Sequence, residues 1–256
     1  MNRIPLSVVV ITKNEEANIE RCLGSAGFAD EIVVLDSYST DKTLEIAGRF
    51  TKNIYKHNMD VEGTHRNYAY GLASGEFILS LDADEEISPQ LKDEIMNLLK
   101  DETEAGKHNV YSIPIKTFIG NRWAKYAGWY PAPKVRLFRK GRFRYDDAEV
   151  HPRTYYQGTC GHLKGDILHY AFKDLADIFS DLNQQSTLQA KEWFREKRKF
   201  STARFLRTTC DRFLKKYFLK AGYKGGILGI VLSAADGIYQ FMSYAKLWEL
   251  YSKSRK

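Results

Sequence analysis

The chain has 256 residues, 43% of them hydrophobic and 28% charged, a composition that favours a folded globular protein and excludes a disordered one. Its formal net charge of +7 is uneven, since residues 191–256 carry 16 Lys/Arg and 5 Asp/Glu, a balance of +11. Such a basic segment favours a partner that carries phosphates, but no recognised nucleic-acid-binding module accompanies it, so we expect no nucleic-acid partner. The three cysteines, Cys22, Cys160 and Cys210, share no metal-ligand spacing and indicate reduced thiols in a cytoplasmic protein.

Strands and helices alternate along the first hundred residues. Apolar runs rich in β-branched residues predict buried strands, and periodic apolar residues between them predict helices. The predicted strands cover 6–11, 31–35, 53–55 and 77–81, and the predicted helices cover 15–26, a segment that starts at Thr43, and 64–73. The first apolar run is too short for the core of a secretory signal, so we expect none. The alternation predicts an α/β fold with a Rossmann-like, mostly parallel central sheet flanked by helices and with ligands at the carboxyl ends of its strands.

The pattern changes after this half of the chain. A charged segment at 88–105 predicts one helix, with Ser88 as its N-cap and Pro89 at its first position. Short strands with aromatic and basic residues follow to about residue 170, and helical periodicity covers 173–220. Residues 222–252 predict either a helical pair or one long apolar helix.

Two carboxylates one residue apart follow the strand at 77–81. An extended backbone would present Asp82 and Asp84 on one side, because side chains alternate along a strand. Oxygen ligands at the carboxyl end of a sheet suit Mg²⁺ or Mn²⁺, and these cations in turn suit a diphosphate. An Asp-x-Asp pair alone also occurs in many exposed turns, so the prediction depends on what the other strand ends carry.

Polar residues suited to a nucleotide occur at the other strand ends. Those residues are Thr12, Asn14 and Glu15 after the first strand, Asp36 at the end of the second, and Arg66 in the helix before the strand at 77–81. Carboxylates accept hydrogen bonds from a base or a ribose, and an arginine binds phosphate. Singly, each has a plainer explanation, a capping loop for Asp36 and a solvated helix charge for Arg66. The chain lacks the glycine-rich phosphate loops of dinucleotide-binding and P-loop proteins, which leaves a metal-dependent nucleotide-sugar site as the best fit.

Four segments together resemble a known family. They are residues 6–15, 36–41, 66–67 and 82–85. With these segments the chain resembles the inverting family 2 glycosyltransferases of GT-A fold, and within that family the bacterial lipopolysaccharide core β-glucosyltransferases that modify a heptose. The resemblance is specific over residues 6–86 and softer beyond them, where it extends through Val150-His151 and the ending at 244–250.

The resemblance implies roles for the residues at the strand ends. The nucleotide-sugar pocket would contain Thr12, Asn14, Glu15, Asp36, Arg66, Asp82 and His151. Asp36 would contact the uracil or the ribose, and Arg66 would lie near the base or the phosphates. Asp84 would be the principal ligand of Mg²⁺ or Mn²⁺, helped by Asp82. The implied reaction is a single displacement in which a carboxylate takes the proton of the acceptor hydroxyl.

The catalytic base is expected in the acidic segment that follows the acceptor-side strands. Relatives often carry Val-His-Glu where this chain has Val150-His151-Pro152, so the carboxylate that the resemblance would supply is missing. Asp147 or Glu149 is therefore the predicted base. His151 would reach the diphosphate or the metal, or would satisfy a buried backbone group.

The C-terminal quarter predicts contact with a membrane surface. Apolar and basic residues interleave between 204 and 220, as in an amphipathic helix that lies on an anionic membrane. Residues 226–245 are apolar over the length of a bilayer span, but Asp236 at the centre would cost roughly 2.5–3.5 kcal/mol there. We expect association with the inner-membrane surface rather than a span, and the alternative is a helix packed against the catalytic domain.

These inferences define an expected domain arrangement and function. We expect a GT-A catalytic domain at 1–172, made of a nucleotide-sugar-binding half at 1–105 and an acceptor-side half at 106–172, and a C-terminal helical extension at 173–256. The expected enzyme lies peripherally on the inner face of the cytoplasmic membrane and moves a hexose, glucose by the resemblance, from a UDP-sugar to a lipopolysaccharide inner-core sugar. The alternatives are a transferase of the same fold that acts on a polyprenyl phosphate or a protein, and a catalytically silent membrane scaffold.

Overall fold

The computed structural model describes residues 3–148 and 152–254. The chain forms two compact units, one made of Met1–Ile115 with Ala132–His169 and the other of Lys116–Pro131 with Tyr170–Lys256. The second unit therefore includes a short internal segment as well as the C-terminal helices. The sequence-based division into a catalytic domain at 1–172 and a helical extension at 173–256 is a functional one, and it stays a prediction.

A seven-stranded sheet forms the centre of the first unit. The strands of the chain are β1 (Leu6–Thr12), β2 (Glu31–Asp36), β3 (Ile54–Lys56), β4 (Phe77–Asp82), β5 (Glu85–Ile87), β6 (Val110–Ile113), β7 (Ile115–Ile119), β8 (Arg122–Trp123), β9 (Lys134–Arg139), β10 (Phe143–Tyr145), β11 (Thr154–Tyr156), β12 (Cys160–His162) and β13 (Ile167–Phe172). The sheet order is β12-β6-β9-β4-β1-β2-β3, and β9 runs antiparallel to both of its neighbours while the other pairs are parallel. The central sheet is thus mostly parallel, as the sequence predicts.

Helices cover both faces of this sheet because its central strands are apolar on both sides. The helices of the first unit are α1 (Ile19–Ser25), α2 (Thr43–Ala47), α3 (Glu62–Leu72), α4 (Pro89–Lys100) and α5 (Glu102–Gly106). Val8 and Val10 of β1 pack in one core with α1 and α4, whereas Val9 packs in the other core with α3. Successive residues of a strand point to opposite faces, so one β-branched run supplies both cores.

The single helix predicted at 88–105 is wrong, because the chain forms two helices there. Ser88 caps α4 as predicted, and its hydroxyl accepts a hydrogen bond of 3.2 Å from the backbone N–H of Leu91. At Asp101 the backbone becomes extended, and the Asp101 carboxylate caps α5 by accepting from the N–H groups of Thr103 and Glu104. A second N-cap residue inside the charged segment ends one helix and starts the next.

The strand ends that carry the predicted site meet at one edge of the sheet. In the pairing of β1 with β2, Thr12 lies opposite Asp36, and in the pairing of β1 with β4, Ile11 lies opposite Asp82. These strands are parallel, so their carboxyl ends coincide. The register alone therefore places these residues side by side.

A late strand also returns to this edge. The beginning of β13 pairs antiparallel with β5, which places His169 opposite Glu85. The turn before β13 lies directly on α4 at Gly165, where an added Cβ would sit 2.4 Å from the Cα of Leu91. Glu94 of α4 accepts a hydrogen bond of 2.9 Å from the N–H of Gly165 and fixes the same turn.

The second unit is built on a long C-terminal helix. Its helices are α6 (Leu175–Arg195), α7 (Thr202–Leu214) and α8 (Gly226–Ser254), with a π-helical turn at Lys215–Leu219 and a 3-10 turn at Gly222–Gly225 between α7 and α8. Tyr244 of α8 packs on Trp193 of α6 with ring centroids 4.9 Å apart, and Phe241 lies 4.9 Å from Phe205 of α7. Of the two alternatives for 222–252, the chain adopts one long helix preceded by a short turn.

By length and composition, one helical stretch in the described residues could cross a bilayer. It runs from Gly222 to Ser254 with a hydropathy of 1.3, and 33% of its apolar window is buried within the protein. One such helix is weak evidence for a span, since the core helices of soluble proteins can have the same length and hydropathy. Polar side chains lie on its buried stripe, among them Ser233, Gln240 and Ser243.

Replacing Gly165 by alanine is expected to destabilise the first unit, because the new methyl group would overlap the backbone of α4 at Leu91. Overpacking of this kind costs about 1–3 kcal/mol in the free energy of unfolding, measured by urea titration. Gly71→Ala is the matched control, since nothing lies within 4 Å of a Cβ there and alanine favours the helix by up to about 1 kcal/mol. Equal stability of the two variants would contradict the close packing of this turn.

Candidate active site

A cleft of about 270 Å³ opens at the carboxyl ends of β1, β2 and β4. Its wall includes four of the predicted site residues, Thr12, Glu15, Asp82 and Asp84, together with Lys13, Ser37, His65 and His169. Three further predicted residues, Asn14, Asp36 and Arg66, come from the elements beside the cleft and are not part of its wall. The position agrees with the rule that open α/β sheets bind ligands beyond the carboxyl ends of their strands.

Two arginines hold the carboxylate of Asp82. Nη2 of Arg66, from α3, lies 2.7 Å from Oδ1 of Asp82, and Nη2 of Arg136, from β9, lies 2.8 Å from Oδ2. The same nitrogen of Arg136 lies 2.7 Å from Oε1 of Glu85, whose other oxygen accepts a hydrogen bond of 2.9 Å from the Asp82 N–H. Arg136 is 2% exposed and Glu85 is 1% exposed, so the cluster is a buried charge network. Removing one member would leave an uncompensated buried charge.

This network sets the protonation of its carboxyl groups. Burial alone would raise the pKa of Asp82, but the guanidinium groups of Arg136 and Arg66 outweigh it and hold that pKa well below its usual value. Burial raises the pKa of Glu85, opposed by Arg136 and reinforced by the negative charge of Asp82. Burial would lower the pKa of Arg136, but its two carboxylate neighbours raise it instead. Asp82 is therefore ionised and already engaged on both oxygens.

Asp84 has a different partner. It lies in the turn after β4, and its Oδ2 is 3.2 Å from Nε2 of His169 on β13. Burial would lower the pKa of His169, but the hydrogen bond and negative charge of Asp84 outweigh it and raise that pKa. The alternation rule that puts Asp82 and Asp84 on one side ends with the strand at Asp82. Both side chains reach the cleft, but one faces two arginines and the other an imidazole.

Asp84 and His169 are the pair best suited to a divalent cation. Within residues 3–148 and 152–254, no group of three or more His, Cys, Asp or Glu side chains is arranged to hold a metal ion. Mg²⁺ in nucleotide sites usually takes one or two carboxylates and completes its shell with substrate phosphates and water. Imidazole and carboxylate together also suit Mn²⁺. One carboxylate and one imidazole on the wall of a cleft fit a cation whose other ligands come from a bound diphosphate.

The loops after β1 and β2 are joined by hydrogen bonds between Asn14 and the segment 39–40. The N–H of Asn14 donates to Oγ of Ser39, and Oδ1 of Asn14 accepts from the N–H of Thr40, each at 2.8 Å. Asn14 has a positive φ of 54°, a conformation that asparagine tolerates better than most residues. Asp36 is fully buried and accepts hydrogen bonds from both the N–H and the hydroxyl of Ser39. This arrangement fixes the loop that ends β2 against the loop that ends β1.

The wall of the cleft holds a buried hydroxyl that lacks a partner. Oγ1 of Thr12 is buried and makes no hydrogen bond with any described residue. Nearby, Glu15 is held at its backbone, where its N–H donates to Oγ1 of Thr43 at 2.8 Å. A buried polar atom without a partner carries a free-energy cost that a ligand can relieve. Thr12 is therefore suited to bind a nucleotide oxygen or N–H.

Asn67 of α3 holds the residue just before the predicted base segment. Its side chain donates to the carbonyl of Tyr145 and accepts from the Tyr145 N–H, both at 2.9 Å. The next residue is also close, since a Cβ on Gly63 of α3 would lie 2.1 Å from the Asp146 carbonyl oxygen. Asp147 follows and is exposed. Glu149 and His151 lie outside the described residues, so their placement stays a prediction.

A larger cavity of about 580 Å³ lies elsewhere in the first unit, between α3 and the β10–β11 hairpin. Arg142 and Arg144 line it, but none of the aspartates, glutamates or histidines that the structure describes does. Arg144 stacks over the Tyr155 ring at 5.1 Å, and Arg142 donates to Gln157 at 2.8 Å. Without a group that could hold a metal or take a proton, the larger cavity is a weaker candidate than the smaller acidic cleft.

Sequence reasoning assigned no role at this cleft to Glu85, Asn67, Arg136 or His169. His169 lies 85 positions from Asp84, and only the pairing of β13 with β5 brings them together. Arg136 lies 54 positions from Asp82 on an antiparallel strand, and no motif links the two. A local signal exists for Asn67, because it directly follows Arg66 in the segment that carries the family resemblance.

Comparisons with known proteins identify the family of this chain. The model of the family "Glycosyl transferase family 2" matches residues 7–167. An uncharacterized glycosyltransferase of Rickettsia typhi is 30% identical over 98% of this chain and 89% of its own length. A lipopolysaccharide core biosynthesis glycosyltransferase of Rhizobium meliloti is 26% identical over 98% of this chain and 94% of its own length. The resemblance to family 2 that the four sequence segments indicate is thereby confirmed.

Among solved structures, the chain is similar to TarS of Staphylococcus aureus. The TM-score is 0.50 at 17% identity, over 94% of this chain and 54% of that one. At this identity the likeness shows the fold alone. It confirms the predicted fold class, a GT-A arrangement with a mostly parallel central sheet flanked by helices and a helix-rich C-terminal region.

Asp84→Asn is expected to lower the pKa of His169, because the charge and the hydrogen bond that raise it would be weakened or lost. The raised pKa means that the pair stabilises the parent fully below about pH 6.5, and that this contribution is lost as pH rises through the folded-state pKa. The variant should lose that part of the pH dependence of unfolding. Titration of labelled histidine by NMR in EDTA measures the pKa, and the exposed Asp93→Asn is the control. An unchanged His169 pKa in Asp84→Asn would contradict the pairing.

Proposed function

The chain belongs to glycosyl transferase family 2 and is a glycosyltransferase, and we propose that it transfers a hexose from a UDP-sugar to a sugar of the lipopolysaccharide inner core. The observation that carries the proposal is the acidic cleft at the strand ends, where Asp84 and His169 face one another 3.2 Å apart beside the arginine-bound Asp82. By the resemblance, the reaction inverts the anomeric centre and the sugar is glucose.

The nucleotide would bind along the ends of β1 and β2. Thr12 offers the nucleotide a buried hydroxyl that bonds to none of the described residues, Glu15 extends that side of the pocket, and Asn14 lies beside it. By the resemblance, Asp36 would contact the uracil or the ribose, and because it is fully buried that contact requires Ser39, which now bonds to both of its oxygens, to move aside. Arg66 lies behind Asp82 and adds positive charge on the phosphate side.

Asp84 and His169 would hold Mg²⁺ or Mn²⁺. When bound, the cation would offset negative charge on the departing diphosphate. We propose that Asp82 belongs to the nucleotide side and contributes less to the metal than the sequence predicts, because Arg66 and Arg136 already occupy both of its oxygens. His151, predicted near the diphosphate, remains a candidate for the same region.

The reaction would be a single displacement. The acceptor hydroxyl attacks the anomeric carbon from the face opposite the diphosphate, and the bond between that carbon and the diphosphate oxygen breaks as the new glycosidic bond forms. Asp147 or Glu149 would take the hydroxyl proton. Asn67 supports this assignment, because its two hydrogen bonds hold Tyr145, just before the acidic segment, against α3, the helix that also supplies Arg66.

The acceptor and the location follow from related chemistry. The Rhizobium meliloti relative named for lipopolysaccharide core biosynthesis aligns with nearly the whole chain. A lipopolysaccharide is a saccharide attached to a lipid, so a transferase that acts on one would work at a membrane surface. We therefore propose a peripheral location on the inner face of the cytoplasmic membrane. We also propose that residues 1–172 carry the chemistry and that residues 173–256 contribute the membrane contact.

Replacing Asp84 by asparagine is expected to weaken metal-dependent donor binding. With Mn²⁺ present, the affinity for UDP measured by calorimetry should fall at least roughly tenfold in Asp84→Asn and in His169→Ala, because each removes a ligand of the cation. Asp93→Asn should bind UDP like the parent, and EDTA should reduce the parent to the level of Asp84→Asn. A parent affinity that is indifferent to both EDTA and Asp84→Asn would rule out the metal assignment.

Two amide variants, compared in a transfer assay, are expected to identify the catalytic base. Of Asp147→Asn and Glu149→Gln, the one that replaces the base should lower kcat by about 10²–10⁴ with the UDP affinity unchanged, and the other should remain near the parent. The assay follows transfer from a panel of UDP-sugars to isolated lipopolysaccharide that carries a truncated core, with a polyprenyl phosphate as the alternative acceptor. Parent-like turnover in both variants would exclude this acidic segment as the source of the base.

A further inference from the structure

One face of the long helix α8 is apolar and exposed. Its opposite face is buried within the second unit, where Leu232, Tyr244 and Leu247 pack in the cores formed with α6 and α7. The exposed stripe is made of Ile227, Ile230, Ile238, Phe241 and Trp248. From Ile227 to Trp248 the stripe spans about 31 Å of helix. A row of large apolar side chains of this length is unusual on a surface that faces only water.

The turns before α8 extend this stripe into an apolar tip, made of Leu214, Phe218, Leu219, Tyr223 and Ile227. Leu219 and Ile227 are each 79% exposed, so these side chains contribute little to any core. The rings of Phe218 and Tyr223 both lie next to Tyr217, at centroid distances of 5.0 and 6.2 Å, which places them on neighbouring parts of the surface. Ile227 belongs to both the tip and the stripe and joins the two sets along the chain.

The charge around the tip has one sign. Residues 212–235 contain five basic residues and no acidic one. Arg212 pairs with Asp236 at 3.6 Å, which leaves Lys215, Lys216, Lys220 and Lys224 as the cations of the tip. Segments that lie in the headgroup region of anionic membranes typically combine exposed apolar side chains with nearby lysines, as this tip does.

We propose that the apolar tip and the stripe on α8 form a membrane-docking face, which lies in the plane of an anionic lipid leaflet with the lysines at the phosphates. This inference deepens the peripheral location in the proposed function by naming the surface and the lipid class, but it rests on neither the donor nor the acceptor. The lysines favour phosphate groups, and the apolar side chains would insert between the acyl chains.

Two other occupants fit the surface less well. A second copy of this chain whose tip packed on this one would bring the lysines of both tips together, and lysine is depleted at protein interfaces. A bilayer span would have to expose the buried stripe of α8, on which Ser233 and Gln240 lie. It would also place Asp236 near the membrane centre, where a carboxylate is expensive. In-plane binding leaves the contacts with α6 and α7 intact.

The test is sedimentation of the full chain with vesicles of phosphatidylcholine alone or mixed with phosphatidylglycerol. The parent should bind the mixed vesicles and not the neutral ones, with an affinity that falls as salt rises. The double variant Phe218→Ala/Leu219→Ala should lose at least roughly tenfold in partitioning, because two inserted apolar side chains are removed. Lys215→Gln/Lys224→Gln should lose roughly 10- to 30-fold at low salt.

The matched control is Leu175→Ala/Phe179→Ala, which removes the same two side-chain types from exposed positions on α6. It should bind vesicles within about twofold of the parent. Equal binding by the tip variant and this control, or equal binding to neutral and anionic vesicles, would overturn the proposal. So would dimerisation of the parent without lipid that the tip variant abolishes, because a second copy would then be the occupant. UDP binding by each variant separates a failure of docking from a failure of the donor site.

Discussion

The electrostatic contact between Asp82 and two arginines determines how the rest of the site is used. Arg66 comes from α3 and Arg136 from β9, so the contact joins two elements that are distant in sequence around the end of β4. Because both oxygens of Asp82 are engaged and its pKa is held low, its negative charge is neutralised locally. Asp84, two residues later, also reaches the cleft but has a histidine as its partner. Two neighbouring acids with the same chemistry thus have different electrostatic surroundings, which is the basis of the different roles that we propose for them.

The same edge of the sheet brings three kinds of group together. The ends of β1 and β2 supply polar atoms, and hydrogen bonds between Asn14 and the segment 39–40 hold these two ends together. The end of β4 and the turn after it supply the two aspartates, and β13 supplies His169. Asn67 adds a fourth element by fixing Tyr145 at the start of the acidic segment. A donor that spans nucleotide, diphosphate and sugar needs such an extended row of contacts, and parallel strands provide one position for each part.

The sequence predicts the features that depend on local patterns. The four N-terminal strands, the Ser88 cap and the order of polar strand ends follow from runs of β-branched residues and from capping chemistry, and the structure confirms them. It does not predict His169 or Arg136 as site residues, because their proximity depends on strand register across 85 and 54 positions. The sequence also does not predict the helix break at Asp101, because the charge and periodicity of that segment favour one continuous helix. The alternation argument for Asp82 and Asp84 also has a physical limit, since it holds only as far as the strand continues.

The most direct test is the position of the metal in crystals of the full chain grown with UDP and Mn²⁺, located by anomalous scattering at the manganese edge. The expected result is a single peak roughly 2 Å from a carboxylate oxygen of Asp84 and from Nε2 of His169. In the same crystals, the carboxylate of Asp82 should still lie between Arg66 and Arg136. A peak bound to Asp82 after it has left the arginines, or a peak away from both aspartates, would contradict the division of roles between the two acids.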